Sequence, residues 1–157
     1  MDSACLCIAA HRQPRSNYGN VATLRGLGMH PSARIPVILV IADVEETRMG
    51  IKRLLSVNGY RVLTAKGEAD AAQMSHDVSP DLVLMSLRVD QVEPVLIAQQ
   101  LRDAWKLTGE VPIVLFAVTT LKEGVEVRIE PNIYLVYPDN FNQLRQLIRQ
   151  LISRLVR

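Results

Sequence analysis

Short apolar runs alternate with segments of helical length from Ile35 to the end of the sequence. The runs are rich in Val, Ile and Leu, as is typical of strands buried on both faces of a parallel sheet. Parallel strands joined by helices need right-handed crossovers. The pattern therefore predicts an α/β fold with a doubly wound, five-stranded parallel sheet, with strands at Pro36–Ala42, Tyr60–Ala65, Leu82–Met85, Ile113–Val118 and Ile133–Val136.

Helical patterns occupy the segments between these runs and the end of the chain. Asp43 is placed to cap the first helix and Asn58-Gly59 to end it. The last helix has a continuous apolar stripe on one face, and we expect its other face to hold Arg145, Arg149, Arg154 and Arg157. We expect helices at about 44–57, 68–76, 94–105 and 141–156.

The alternation weakens between Thr119 and Pro131. Val125, Val127 and Ile129 recur at every second position in this segment, which is the period of a strand. Gly124 and Pro131 also confine any helix to about two turns. We therefore expect the helix before the fifth strand to be short or absent.

Ser86 follows the unbroken apolar run Leu82–Met85, which Pro80 introduces. It therefore lies where the third strand ends. In an open α/β sheet, ligands bind at the carboxyl ends of the strands. Ser86 is the first candidate for a functional residue.

Residues 1–34 show no sustained periodicity, and we expect a flexible extension before a domain at residues 35–157. Cys5, Cys7, His11 and His30 lie in this extension, but they lack the paired spacing of a zinc module. The two cysteines are too close together to staple a core. We interpret them as free thiols and predict no metal site.

The length and charge of the chain narrow the classes of protein further. A chain of 157 residues that is 48% apolar fits one globular domain with a tail. Its net charge of +2 gives no general attraction to nucleic acid. The longest apolar stretch, Val111–Val118, is too short to span a membrane. We expect a cytoplasmic protein with neither nucleic acid nor membrane as a partner.

Several segments, in this order, resemble the receiver domain of bacterial two-component response regulators. The resemblance covers roughly Ile35–Val156 and implies a flavodoxin-like, CheY-like (βα)5 fold that serves phosphorelay signal transduction. The segments that carry it are Pro36–Asp43, Asn58–Ala65, Pro80–Leu87, Val111–Ala117 and Tyr134–Pro138.

Receivers accept a phosphoryl group from a histidine kinase on an aspartate at the end of strand three. A pair of acids after strand one holds Mg²⁺, a hydroxyl after strand four contacts the phosphoryl group, and a lysine after strand five pairs with it. The resemblance places these roles, in turn, at Ser86, at Ala42 and Asp43, at Ala117 and at Tyr137.

Of these five positions, only Asp43 keeps the family's residue type. We therefore expect a degenerate pocket that has lost aspartyl phosphorylation and Mg²⁺ binding, and no cofactor. Asp90, Glu45 and Glu46 lie nearby in sequence, but we interpret them as a loop residue and as acids in the first turn of a helix.

The resulting hypothesis is a module without enzymatic activity that acts by binding another protein, independently of phosphorylation. The partner would be a histidine kinase or a downstream effector with an acidic surface, or a second copy in a homodimer. The predicted partner surface comprises Tyr134, Arg145, Arg149 and Arg154. The alternative is a modified pocket that binds a small ligand or accepts a phosphoryl group on Ser86. Nucleic-acid contact through the last helix is a weaker third hypothesis, because no recognition motif accompanies it.

Overall fold

The computed structural model describes residues 34–74, 77–86, 93–116, 121–138 and 140–155. In this part of the chain the strands are β1 (Val37–Ile41), β2 (Arg61–Ala65), β3 (Leu82–Ser86), β4 (Ile113–Phe116), β5 (Val125–Glu130) and β6 (Ile133–Tyr137). The helices are α1 (Glu45–Val57), α2 (Glu68–Met74), α3 (Pro94–Ala104) and α4 (Phe141–Leu155).

The strands form one sheet in the order β2-β1-β3-β4-β6-β5. All neighbours from β2 to β6 are parallel, and β5 pairs antiparallel with β6. The predicted α/β fold with a parallel sheet is confirmed. The predicted strand count of five is wrong, because a sixth, antiparallel strand extends the sheet.

The sixth strand is β5, in the segment where the helical pattern weakens. Its residues alternate apolar and charged side chains, and this period of two fits a strand and cannot form a helical stripe. Pro131 and Asn132 then turn the chain back into β6, with Asn132 in the left-handed region at φ 64°. Pro followed by a left-handed Asn is typical of a type II turn. As expected, residues 121–132 contain no helix.

Two apolar cores lie on opposite faces of the sheet. On one face, α1 and α4 bury residues such as Ile51, Leu55 and Ile148 against β1, β3, β4 and β6. On the other face, α2 and α3 bury residues such as Ala71 and Leu101. The central strands are thus covered on both sides, which explains their unbroken apolar sequences.

Helix α1 ends as the sequence predicts but begins differently. Gly59 has φ 87°, and its N–H bonds to the Ser56 carbonyl oxygen, so glycine ends the helix in a left-handed conformation. At the other end, Asp43 does not cap the helix. Its Oδ1 accepts a hydrogen bond of 2.9 Å from the N–H of Val44, the residue at the N-cap, because the helix begins one residue later than predicted.

Candidate functional site

The ends of the parallel strands bring the predicted pocket positions to one edge of the sheet. Ile41 pairs with Met85, so Ala42 and Ser86 emerge next to each other from β1 and β3. Ser86 in turn pairs with Phe116 at the end of β4. The carboxyl ends of β1, β3 and β4 therefore lie side by side at this edge, where open α/β sheets bind ligands.

A cleft of about 420 Å³ opens at this edge, between the strand ends and the start of α2. It contains three of the predicted positions: Ala42, Asp43 and Ser86. Ala42 is buried, Ser86 is half-buried and Asp43 is exposed. The described residues that line it are Ile41, Ala42, Asp43, Lys66, Gly67, Glu68, Ala69, Met85, Ser86 and Ile97.

Two other predicted positions do not belong to the described lining of this cleft. Tyr137 ends β6 at the same edge of the sheet, but it is half-buried beside β5, where its carbonyl oxygen accepts a hydrogen bond from the Gly124 N–H. Ala117 lies outside the described residues.

Lys66 and Glu68 line the cleft, although sequence reasoning did not select them. They follow β2, which pairs with β1, so the strand order brings the start of α2 beside Asp43. The N–H of Lys66 donates a hydrogen bond of 2.9 Å to Asp70 Oδ2, which holds this turn at the start of the helix. The signal was present in the sequence as a Lys-Gly pair directly after a strand.

Arg48 is the second residue that sequence reasoning missed. It projects from α1 to the end of β1 and is only 7% exposed. Its Nη1 donates a hydrogen bond of 2.6 Å to the Ala42 carbonyl oxygen and a longer one of 3.3 Å to that of Asp43. The backbone beside the cleft is thus held by a buried guanidinium. An arginine five residues after Asp43 was the available signal.

The described part of the chain contains no group of three His, Cys, Asp or Glu side chains placed to hold a metal ion. Glu45 and Glu46 lie in the first turn of α1, as expected, while Asp90 lies outside the described residues. Among the described helices, none is both long and apolar enough to cross a membrane.

The predicted partner surface needs a correction at Tyr134. This residue is 4% exposed and belongs to the core beneath α4. The guanidinium of Arg128 also lies over its ring, 5.9 Å from the centroid. Because β5 pairs with β6, the strand that carries Tyr134 is not an edge strand, and the side chain cannot contact a partner as predicted.

The arginines of α4 do not share one side of the helix. At 3.6 residues per turn, Arg145 and Arg149 lie about 40° apart, whereas Arg154 lies about 180° from Arg145. Arg149 and Arg154 are exposed, and Arg145 is half-buried with its Nη2 donating to Asn142 Oδ1 over 2.8 Å. Of the three predicted arginines, only Arg145 and Arg149 can therefore belong to one basic surface.

The topology and the cleft at the strand ends define the fold class as the α/β fold of CheY-like receiver domains. Solved structures with this fold include the receiver from Sinorhizobium medicae, with a TM-score of 0.58 and 19% identity, covering 78% of this chain and 98% of that one. Another is the response regulator TrrA from Thermotoga maritima in complex with Mg²⁺ and BeF, with a TM-score of 0.57, 23% identity and coverage of 74% and 99%.

Comparison with curated protein sequences also finds response regulators. The chain is 28% identical over 123 residues to the response regulator MprA of Mycobacterium sp. strain KMS, covering 74% of this chain and 50% of that protein. It is 25% identical over 122 residues to the transcriptional regulatory protein AfsQ1 of Streptomyces coelicolor, covering 76% and 52%. No family model matches the chain.

The chain spans about half the length of the curated relatives it matches. In sequence, the chain is similar to the matched half of these response regulators, and in fold it is similar to the receiver domains of solved response regulators. The match does not extend to what the rest of those longer proteins do.

Proposed function

We propose that this receiver domain works without aspartyl phosphorylation and acts by binding another signalling protein. The observation that carries the proposal is the residue at the end of β3. Ser86 occupies the position where the resemblance places the phosphoacceptor, and a serine hydroxyl cannot form an aspartyl phosphate.

The surroundings of Ser86 support the same proposal. Ala42 replaces one acid of the metal-binding pair, so the cleft lining retains Asp43 from β1 and Glu68 from α2 as its carboxylates. The described residues form no cluster of three ligands, and this donor set does not fit the family's Mg²⁺ site. We therefore propose that Mg²⁺ binding is lost and that the domain has no catalytic role.

The first experiment incubates the full chain with acetyl phosphate and Mg²⁺ and measures its intact mass. The expected result is no phosphoryl adduct. The matched positive control restores the family's residues with Ala42→Asp, Ser86→Asp, Ala117→Thr and Tyr137→Lys, and a receiver with an intact site verifies the reagent. A stoichiometric adduct on the natural chain would overturn the proposal.

The proposed partner is a cytoplasmic histidine kinase or effector with an acidic surface, because Arg145 and Arg149 lie on the same side of α4. The probe is a two-hybrid panel of the histidine kinases and response regulators from the same genome. We expect Arg145→Glu with Arg149→Glu to abolish an interaction that Arg154→Glu, on the other side of the helix, leaves unchanged. Equal effects of the two variants would contradict this surface.

A second candidate function follows from the lining of the cleft. Lys66 adds a cation to a cleft that also holds the Ser86 hydroxyl and the carboxylates of Asp43 and Glu68. The candidate ligand is therefore a small anion that binds through Lys66 and Ser86 strongly enough to offset repulsion by the two carboxylates. Inorganic phosphate and acetyl phosphate are the probes. A rise in the unfolding temperature that depends on their concentration and is lost in Lys66→Met would favour this candidate, and no rise would exclude it for these ligands.

A further inference from the structure

Strand β5 ends the sheet, and one of its edges has no neighbouring strand among the residues that the structure describes. Its apolar residues remain partly exposed: Val125 by 36%, Val127 by 38% and Ile129 by 39%. An edge strand with unpaired backbone groups and exposed apolar side chains is a template for pairing with another strand.

The two faces of β5 have different chemistry. Glu126 pairs with Val136 and Arg128 with Tyr134, so these two charged residues lie on the face of the sheet that carries α4. The strand is irregular between Arg128 and Glu130, and the third charged residue, Glu130, pairs with Ile133 on the opposite face. Val127 pairs with Leu135 and therefore lies on the opposite face, with the core of α3. In the regular part of the strand, from Val125 to Arg128, charge on one face and apolar surface on the other limit the registers in which a further strand can pair.

A second copy of β5 matches this pattern in one antiparallel register. When the two strands are centred on Val127, Glu126 of each copy faces Arg128 of the other, and Val127 faces its own equivalent. Val125 lies opposite Ile129 in the same register, at the point where β5 is irregular between Arg128 and Glu130. A centre at Glu126 or at Arg128 would instead place like charges opposite each other, and a slip by one residue would place charged residues on the apolar face.

We propose that a second copy of this chain docks on the free edge of β5, antiparallel and centred on Val127, and so joins the two sheets into one. The pairing has two-fold symmetry, so the free β5 edge of each copy is occupied by the other copy. Assembly therefore stops at a dimer. This inference concerns a surface distant from the cleft and does not depend on the proposed loss of phosphorylation.

Contacts within the chain hold β5 in place for this pairing. The guanidinium of Arg128 lies over the Tyr134 ring, 5.9 Å from its centroid, so the side chain is partly ordered before a partner arrives. At the other end of the strand, Gln99 Nε2 of α3 lies 3.4 Å and 3.5 Å from the two carboxylate oxygens of Glu130. A strand fixed in this way loses less conformational freedom when it binds.

The first test measures the dimer dissociation constant of the full chain by sedimentation velocity. Each charge reversal places like charges opposite each other twice in the symmetric pair. Glu126→Arg alone and Arg128→Glu alone should each therefore weaken the dimer by about tenfold or more. Glu123→Arg, an exposed reversal just before the strand, is the matched control and should leave the dissociation constant unchanged.

The decisive sample mixes the two single variants. One chain then carries two arginines and the other two glutamates, so every facing pair in the mixed dimer has opposite charges. The mixture should form heterodimers at a concentration at which each variant alone is monomeric. The double variant Glu126→Arg with Arg128→Glu should also recover the homodimer. Because recovery requires folded chains, these samples show that loss in the single variants does not come from misfolding.

A second test locates the contact. Opposed Cα atoms in an antiparallel pair lie about 4.5–5.5 Å apart, which a disulfide can span. In a chain with Cys5→Ser and Cys7→Ser, Val127→Cys should form a disulfide-linked dimer under mild oxidation. Val57→Cys, at an 88% exposed position on α1, should not. A natural chain that is monomeric at all concentrations, or a dimer that ignores both charge reversals, would overturn the proposal.

Discussion

The Nη1 of Arg48 on α1 donates a hydrogen bond of 2.6 Å to the carbonyl oxygen of Ala42, the first residue after β1. Because Arg48 is only 7% exposed, this contact is poorly accessible to water. It joins the first helix to the strand end beside the cleft and satisfies a carbonyl that lies beyond the strand ladder. The geometry of the candidate site thus depends on a residue that does not line it.

Replacing Arg48 with alanine should lower the free energy of unfolding by about 2 kcal/mol, because a charge-assisted hydrogen bond and the packing of the side-chain stem are both lost. Urea titration followed by circular dichroism measures the change. Arg53→Ala, at an exposed position on the same helix, is the control and should change stability by less than about 0.5 kcal/mol. Equal effects of the two substitutions would show that the buried contact contributes nothing.

The turn between β5 and β6 gives a second prediction. Asn132 has φ 64°, and its Nδ2 donates a hydrogen bond of 2.7 Å to the Gly109 carbonyl oxygen. Asn132→Ala loses this bond and adds strain at a positive φ, so it should cost about 2 kcal/mol. Asn132→Gly loses only the bond and should cost about half as much. If the glycine variant is as unstable as the alanine variant in urea, backbone strain does not matter here.

Asp81 should contribute more to stability than its ion-pair partner Arg34. Its Oδ2 accepts a hydrogen bond of 2.7 Å from the Val37 N–H at the start of β1, and its side chain also pairs with Arg34. The arginine is 71% exposed, so the ion pair is screened by solvent.

Asp81→Ala should therefore lower the free energy of unfolding by about 1.5 kcal/mol at any salt concentration, because the N–H of a strand loses its acceptor. Arg34→Ala should cost less than about 0.5 kcal/mol and should lose its effect in high salt. Urea titrations at two salt concentrations measure both variants. An Arg34 effect as large as that of Asp81 would mean that the ion pair dominates.

Residue patterns were sufficient to predict the parallel part of the sheet. The central strands are covered on both faces, so their sequences are continuously apolar and stand out from the helices between them. The segment before β6 was harder, because a strand that is exposed on its edge has only a weak alternation. The strand-like period of Val125, Val127 and Ile129 was visible, but it did not reveal whether they pair with β6.

Only those site residues that lie at or just after the ends of strands could be predicted from the sequence. Ala42, Asp43 and Ser86 come directly after or at the ends of neighbouring strands, so their proximity follows from the fold. Lys66 and Arg48 reach the same region from a turn and from a helix, and their direction depends on packing that the sequence does not display. The prediction that Tyr134 lies on a partner surface was wrong for a related reason. The resemblance alone leaves its strand near the surface, whereas β5 and α4 cover that strand in the structure.

Tyr134 gives the sharpest test of that correction. Tyr134 is 4% exposed and belongs to the core between the sheet and α4. If the side chain lies in the core, Tyr134→Ala should lower the free energy of unfolding by about 3 kcal/mol, as removal of a buried aromatic ring usually does. Arg149→Ala, on the exposed side of α4, should change it by less than about 0.5 kcal/mol. A Tyr134→Ala variant as stable as Arg149→Ala would place the ring at the surface and restore it to the predicted partner face.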